Sequence, residues 1–436
     1  MHRADFLAAT AVPLGCYYAL ATAANLWAAV RAVREKHYRH FAAWLVVAVL
    51  FAILAGLSFA GRPPVMPQWL KQVIDAVIGP VTFSLGALSL LLVFYFARRF
   101  FVRGDVAWLM LNGAVLFMGA SMTDPVFAGI VSKPDNVPIV GMVFLLGFFT
   151  WLGAAQAVRN DERIARGEGP VEQQFGEQVL VWPDLIYIEL IGAILGMVVL
   201  TVWAIALEAP LEQPANPVVT PNPSKAPWYF LGLQELLVYF DPAIAGVILP
   251  ALVIFGLMAV PYLDFNPRGS GYYTIDQRKF AYFVFQFGFL GLWVFLILVG
   301  TFMRGPNWSF FGLYEPRDLH KVVAQNNIKL SEYFWVIWLS RTLPQAPPGS
   351  GWLSELGAIF RREIAGVIVL SVYYVGLPMV LGATVFRDLR RRMGRGRYVI
   401  MVLLLLTMFL VPLKMLLRWT MDMSYILSVP EWFFNV

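Results

Sequence analysis

Few side chains in this sequence could do redox, metal or proton chemistry. It holds four histidines, His2, His37, His40 and His320, and one cysteine, Cys16. A pair of b haems inside a helical bundle takes four histidines, two on each of two helices, and none of these four falls inside an apolar run. His37 and His40 stand three residues apart, a spacing that can grip a metal. Arg34, Lys36 and Arg39 surround them and would repel a cation, so a solvated loop is expected and no metal site is assigned. The lone cysteine rules out a disulfide framework and a Cys-x-x-Cys-His attachment for haem c. The methionines read as packing residues of apolar helices. There is no glycine-rich nucleotide loop, no zinc pattern and no sign of nucleic-acid binding.

The informative residues lie between 182 and 242. Trp182-Pro-Asp184-Leu-Ile-Tyr-Ile-Glu189 opens an apolar run, and Pro214-Ala-Asn-Pro leads to Lys225-Ala-Pro227-Trp228-Tyr229-Phe230-Leu-Gly-Leu-Gln-Glu235. At about 100° per residue, Trp228 and Glu235 share a helical face. A carboxylate in partly apolar surroundings has a raised pKa, which suits it to accept a proton from a substrate at a membrane surface. Glu235 is therefore a candidate acceptor, with Pro227, Trp228, Tyr229 and Lys225 around it. The plainer alternative has Glu235 capping a surface helix or pairing with Lys225, and the aromatics acting as interfacial anchors. Asp184 and Glu189 sit at the other end of their run, where an acid near the bilayer is a functional hypothesis by default; Asp184 could equally cap the helix. Gly192 and Gly196 form a small-x-x-x-small pair of the helix-packing kind.

The elements that must position these residues are membrane helices. Of 436 residues, 59% are hydrophobic and 14% charged, against about 25% charged in soluble domains. A bilayer core of about 30 Å takes about 20 apolar residues per helix. Ten runs qualify: 6–30, 41–60, 74–97, 106–122, 137–157, 185–207, 244–263, 281–303, 364–386 and 399–416. The first reads as a retained helix, with no clear cleavage pattern before it. Lysine and arginine test the count. The loops 31–40, 98–105, 158–182, 264–279 and 387–397 hold 19 between them, while 1–5, 61–71, 123–136 and 208–242 hold 5 and the tail 419–436 none; the long loop 304–363 holds seven but is near the length at which the rule weakens. By the positive-inside rule the first set is cytoplasmic, which puts both termini and the 208–242 loop outside. The net charge of +6 follows from those cytoplasmic anchors, which face anionic lipid. The expected fold is all-α, a polytopic membrane protein of about ten helices in a bacterial inner membrane, without internal repeats. Leu330–Leu339, with Glu332 and Arg341, could form an interfacial helix.

Residues 182–303 resemble subunit IV of cytochrome b6f complexes and the matching C-terminal half of bc-type cytochrome b. The resemblance rests on the aromatic-Pro-acidic-Leu opening, the outer Pro-Ala-Asn-Pro segment, the Pro-Trp-Tyr-Phe motif and three spans in the family's order. The Lys-Ala-Pro-Trp-Tyr-Phe-Leu-Gly-Leu-Gln-Glu run looks like the menaquinol-oxidising variant. The family's Pro-Glu-Trp-Tyr is Ala226-Pro227-Trp228-Tyr229 here, so the motif glutamate is absent. The resemblance implies a haem-free membrane subunit of a bc/b6f-type quinol–cytochrome c oxidoreductase, with quinol, a menaquinol by the motif, bound at an interface. The b haems would lie in a separate cytochrome b N-terminal-type subunit and the iron–sulfur centre in a Rieske-type protein, with a c-type cytochrome as acceptor. Asp184 and Glu189 would then lie near an inner quinone site. Residues 1–160 form a five-helix region of unassigned role, 175–305 the subunit IV-like domain, and 306–436 an outer loop plus two further spans. The competing functions are a ten-helix haem-free quinol anchor of a multihaem cytochrome and iron–sulfur oxidoreductase, a transporter, and a non-catalytic assembly subunit.

Overall fold

The structure, a computed structural model, describes residues 3–175, 180–207, 211, 214–266, 271–323, 326–432 and 434–436. His2, Glu177 and Pro210 lie outside these. Among the described residues nine helices are long and apolar enough to cross a membrane, and one bent pair supplies the tenth span. In chain order the elements are α1 Ala4–Arg34, α2 Tyr38–Phe59, α3 Gln68–Val77, α4 Pro80–Phe96, α5 Gly104–Ser121, α6 Val137–Ala165, α7 Val181–Ala206, α8 Trp228–Leu236, α9 Ile244–Leu263, α10 Lys279–Met303, α11 Trp352–Arg362, α12 Ile364–Ala383 and α13 Arg395–Met421. The chain is a multi-pass, all-α membrane protein.

The third span departs from its expected bounds. The apolar run from residue 74 is broken, and α3 meets α4 at 80°. Pro80 has no N–H to give the preceding turn, and its ring crowds the carbonyl four residues back, so the helix restarts there. α3 carries Lys71, buried and ion-paired with Asp124, and Asp75, which accepts from the Tyr314 N–H at 3.1 Å. The Leu330–Leu339 segment is also helical, but Leu330 and Ser331 are buried and only Val336–Leu339 presents an apolar exposed edge.

Contacts sort the loops into two ends. At one end His40 approaches Asp105, Arg98 pairs with Asp276, Asp161 accepts from the Ile275 and Asp276 N–H groups, and Phe280 packs on Phe386. At the other, Met66 N–H donates to Thr123, Lys225 reaches Arg304, Asn222 pairs with Asn307, and Leu330 N–H donates to the Tyr425 carbonyl. These are the two sets that the lysine and arginine count separates.

The main core is built from distant parts of the chain. Leu236, Tyr239, Phe240 and Ile244 meet Phe295, Leu296, Val299 and Met303 of α10, and Leu410, Val411 and Met415 of α13 close over them with Met423 and Ile426 of the tail. A second core joins α1 and α2 through Tyr18 stacked on Phe51, rings 6.0 Å apart. Asn25 of α1 links to α5 through Asn112 (2.6 Å) and the Trp108 indole (2.9 Å). α7 is the exception: its apolar window is 0% buried, and a side chain at Gly192 or Gly196 would meet nothing within 4 Å.

Candidate functional site

α8 begins right after Pro227, which leads in with extended backbone. Leu231, Gly232, Glu235 and Leu236 form its buried face, set against α10. Gln234, at the edge, folds back over the approach to the helix. Its Oε1 accepts from the Ala226 N–H at 2.8 Å, and its amide donates to the Ser224 carbonyl at 2.8 Å. The loop is thus stapled to the helix it introduces.

Glu235 is 0% exposed, and its partner is Arg304, not Lys225. Arg304 is the first residue past α10. Its Nη2 donates to Glu235 Oε1 at 2.7 Å and its Nε to Oε2 at 3.0 Å, a two-point grip. The Tyr239 hydroxyl donates to Oε1 at 2.8 Å. Burial, then the Glu235 charge, hold the Tyr239 phenol well above its ordinary pKa, so it remains a donor. Arg304 Nη1 donates to the Trp308 carbonyl at 2.9 Å, which spends a further donor of the guanidinium. The carboxylate is thus closed in by charge-assisted hydrogen bonds in an apolar core, a stronger arrangement than neutral pairs give.

Lys225 does different work. Its ammonium donates to the carbonyls of Thr301 (3.0 Å) and Arg304 (2.7 Å), and Arg317 Nη2 donates to that of Phe302 (2.7 Å). Two cations therefore clasp the carboxyl end of α10, where free carbonyls and the helix dipole favour positive charge. Desolvation of the ammonium, with the Arg317 and Lys133 charges adding to it, pulls the Lys225 pKa down to about 8 from an ordinary 10.5. Folded Lys225 thus sheds its proton at lower pH than the unfolded chain does. Between about pH 8 and 10.5 the unfolded chain binds more protons, so this site's contribution to stability rises with pH across that window. Thermal unfolding of the parent and of Lys225→Met at stepped pH should show the parent gaining on the variant across it. A constant difference between the two would contradict the assignment.

Trp228, Tyr229 and Phe230 stand outside this buried cluster, 37%, 49% and 53% exposed. Trp228 and Tyr229 meet edge to face at 5.7 Å, and Tyr229 leans on Phe230 at 4.9 Å. Together they make an open aromatic ledge at the rim of the bundle, beside the stapled loop. The structure therefore brings Lys225, Pro227, Trp228, Tyr229 and Glu235 into one region, split between an exposed ledge and a sealed ion pair. It does not bring Asp184 or Glu189 to it. Both are exposed on the bare α7, without a hydrogen-bond or ion-pair partner among the described residues, and Asp184 caps nothing.

Arg304, Tyr239 and Gln234 were not singled out in the sequence. A signal for Arg304 exists: a carboxylate meant for a core needs a cation, and Arg304 is the first one after the span that packs on α8. The described histidines lie beside carboxylates instead, His37 with Glu35, His40 with Asp105 and His320 with Asp318. Among the described residues no group of three or more His, Cys, Asp or Glu side chains is placed to hold a metal.

Residues 214–311 match the family model described as Cytochrome b(C-terminal)/b6/petD. The match begins after α7, so the aromatic-Pro-acidic-Leu opening lies outside it, and it runs past α10 to take in Arg304. No solved structure matches the chain.

Proposed function

From a chain that carries a cytochrome b C-terminal domain at residues 214–311, we propose a haem-free membrane subunit of a bc/b6f-type quinol–cytochrome c oxidoreductase in a bacterial inner membrane. The ledge of Trp228 and Tyr229 is its part of the quinol oxidation site, on the periplasmic face. The observation that carries this reading is the exposed aromatic ledge on the matched segment, at the end of the bundle whose short loops are poor in lysine and arginine.

Quinol oxidation releases two electrons and two protons. Partner subunits, a haem b-carrying cytochrome b N-terminal-type protein and a Rieske-type iron–sulfur protein, supply the electron acceptors, and a c-type cytochrome takes electrons onward. This chain's part is to bind and orient the quinol head. Trp228 and Tyr229 offer ring faces, and Tyr229 a hydroxyl that can hydrogen-bond the quinol oxygen. Gln234 holds the loop that frames the ledge. Because Glu235 is sealed against Arg304, we assign it with Tyr239 to positioning α8, and place proton release at the water-facing rim. The run of the motif points to a menaquinol.

The test is mild purification through a tag on this chain, followed by redox difference spectra and subunit identification. Reduced b and c bands with a Rieske-type paramagnetic signal are expected. Multihaem c and cubane iron–sulfur proteins without any b haem would replace this reading with the ten-helix anchor, and an absence of every redox centre would remove it.

A further inference from the structure

The long loop after α10 ends on α11, which lies outside both the family match and the proposed site. The residues of α11 sort by chemistry around the helix. At about 100° per residue, Trp352, Leu353, Leu356, Ile359 and Phe360 fall in one stripe about 120° wide. Ser354, Glu355, Arg361 and Arg362 take the rest of the circumference with Gly357 and Ala358. Little of the stripe is covered by the protein. Trp352, Leu353 and Phe360 are 68%, 68% and 59% exposed, and Leu356 and Ile359 are half-buried. A contiguous apolar face left open in this way marks a contact surface.

Where α11 is rooted decides what covers it. A single residue, Glu363, separates it from α12, a membrane span. The joint is clamped from three directions. Glu363 is buried; its Oε2 accepts from the Ser428 N–H at 3.0 Å and its Oε1 from Arg362 Nε at 3.1 Å. Arg362 Nη1 and Nη2 donate to the two Glu431 oxygens at 2.8 and 3.0 Å. The Trp335 indole donates to the Arg362 carbonyl at 3.0 Å. The base of α11 is thus fixed at the mouth of its span, and its eleven residues reach at most about 16 Å from there. Ile368, Val369 and Val372 are exposed on α12 within three turns of Glu363, so the flank of the span at this level borders lipid. The segment held through Trp335 adds Val336, Ile337 and Trp338, also exposed. Trp338 and Trp352 bracket the proline-rich stretch 340–351, and indole rings concentrate at the headgroup level of a bilayer.

We propose that α11 is an interfacial helix that binds the phospholipid surface at its own end of the bundle. Trp352, Leu353 and Phe360 rest on the acyl boundary, and Glu355 and Arg361 face headgroups and water, the arrangement of amphipathic helices that lie in a membrane plane. Lipid is favoured over a protein partner by the clamp at Glu363. The bilayer edge already stands at the root of the stripe, and nothing has to be recruited to cover it. Charge agrees with this. Arg361 has no ion-pair partner among the described residues, and it lies in the last turn before the span, at the level of lipid phosphates. The long outer loop is thereby tied to the membrane at its far end, as Lys225 and Arg317 tie its near end to α10. The proposal needs only that α12 spans a membrane, and stands apart from the redox reading.

Cys16 is the sole cysteine, so Cys16→Ser gives a background without thiols. In it, Leu353→Cys, Phe360→Cys and Glu355→Cys each carry one nitroxide. All three positions are exposed, so a label displaces no packed side chain. The full chain is reconstituted in vesicles of phosphatidylethanolamine and phosphatidylglycerol, and power saturation compares collisions with oxygen, which concentrates in lipid, and with a water-soluble nickel chelate. Labels at positions 353 and 360 should favour oxygen, with nickel access several-fold below that at position 355. Nickel access at 353 and 360 equal to that at 355 would put the stripe in water and overturn the proposal. Protection of 353 and 360 from both reagents would mean that a second copy of the chain covers the stripe, and would overturn it as well.

Discussion

Arg304→Ala will cost the protein about 3–5 kcal/mol, the range measured when one partner of a buried ion pair is removed. Glu235 would be left charged with 0% exposure, and the Tyr239 hydroxyl cannot replace the two guanidinium donors it loses. The same change strips a donor from the Trp308 carbonyl, so the outer end of α10 should loosen with α8. Denaturant unfolding of the full chain in detergent measures the loss, and an unchanged midpoint would show that the pair does not hold these helices. Replacing both partners, Glu235→Met with Arg304→Met, removes charge and counter-charge together and should recover most of the stability. Glu235→Gln separates the two roles open to this residue. As a positioning residue it loses stability, and quinol turnover falls only as far as the fold does. As a proton acceptor it would lose turnover and its pH dependence while the unfolding midpoint stayed in place.

Trp228→Ala and Tyr229→Ala are expected to lower quinol-dependent reduction of cytochrome c by the assembled complex by about 10²-fold. That is the scale reached when a substrate is displaced by an ångström from its productive pose. Both side chains are exposed and take no part in the Glu235 pair's hydrogen bonds, so unfolding midpoints should hardly move. Tyr229→Phe keeps the ring and removes the hydroxyl, so a kcat effect there reports the hydrogen bond to quinol, and a KM effect alone reports stacking. Full turnover in all three variants would remove the ledge from the reaction.

Much of the architecture is legible in the sequence because a bilayer leaves little choice: backbone groups in hydrocarbon must pair within a helix. Hydropathy alone gives the ten spans, and charge alone sorts the loops as the contacts do. The α3–α4 break is not read from hydropathy, which gives 74–97 as one span because the run from Ile74 is apolar, although Gly79-Pro80 is a turn signal inside it. At the site, helical spacing placed Trp228 and Glu235 on one face, whereas the structure leaves Trp228 exposed and buries Glu235. Spacing could not show that Trp228, at the first position of α8, projects past the packed surface while Glu235 is driven into it. Nor does periodicity reach from Glu235 to Arg304, 69 residues on; that pairing is set by how α8 docks on α10.

The core shared between residues 236–303 and 410–426 has a bearing on ancestry. A stretch recognisable by descent is easily taken for a unit that could be lifted out and joined to something else. Here it is not one, because Tyr239, Phe240 and Phe295 find their cover in α13 and the tail. The line drawn by inheritance and the line drawn by burial run through different residues. Any lineage that gained or lost the last two spans had to find another lid for that face in the same step, and modularity in this chain ends where its shared packing begins.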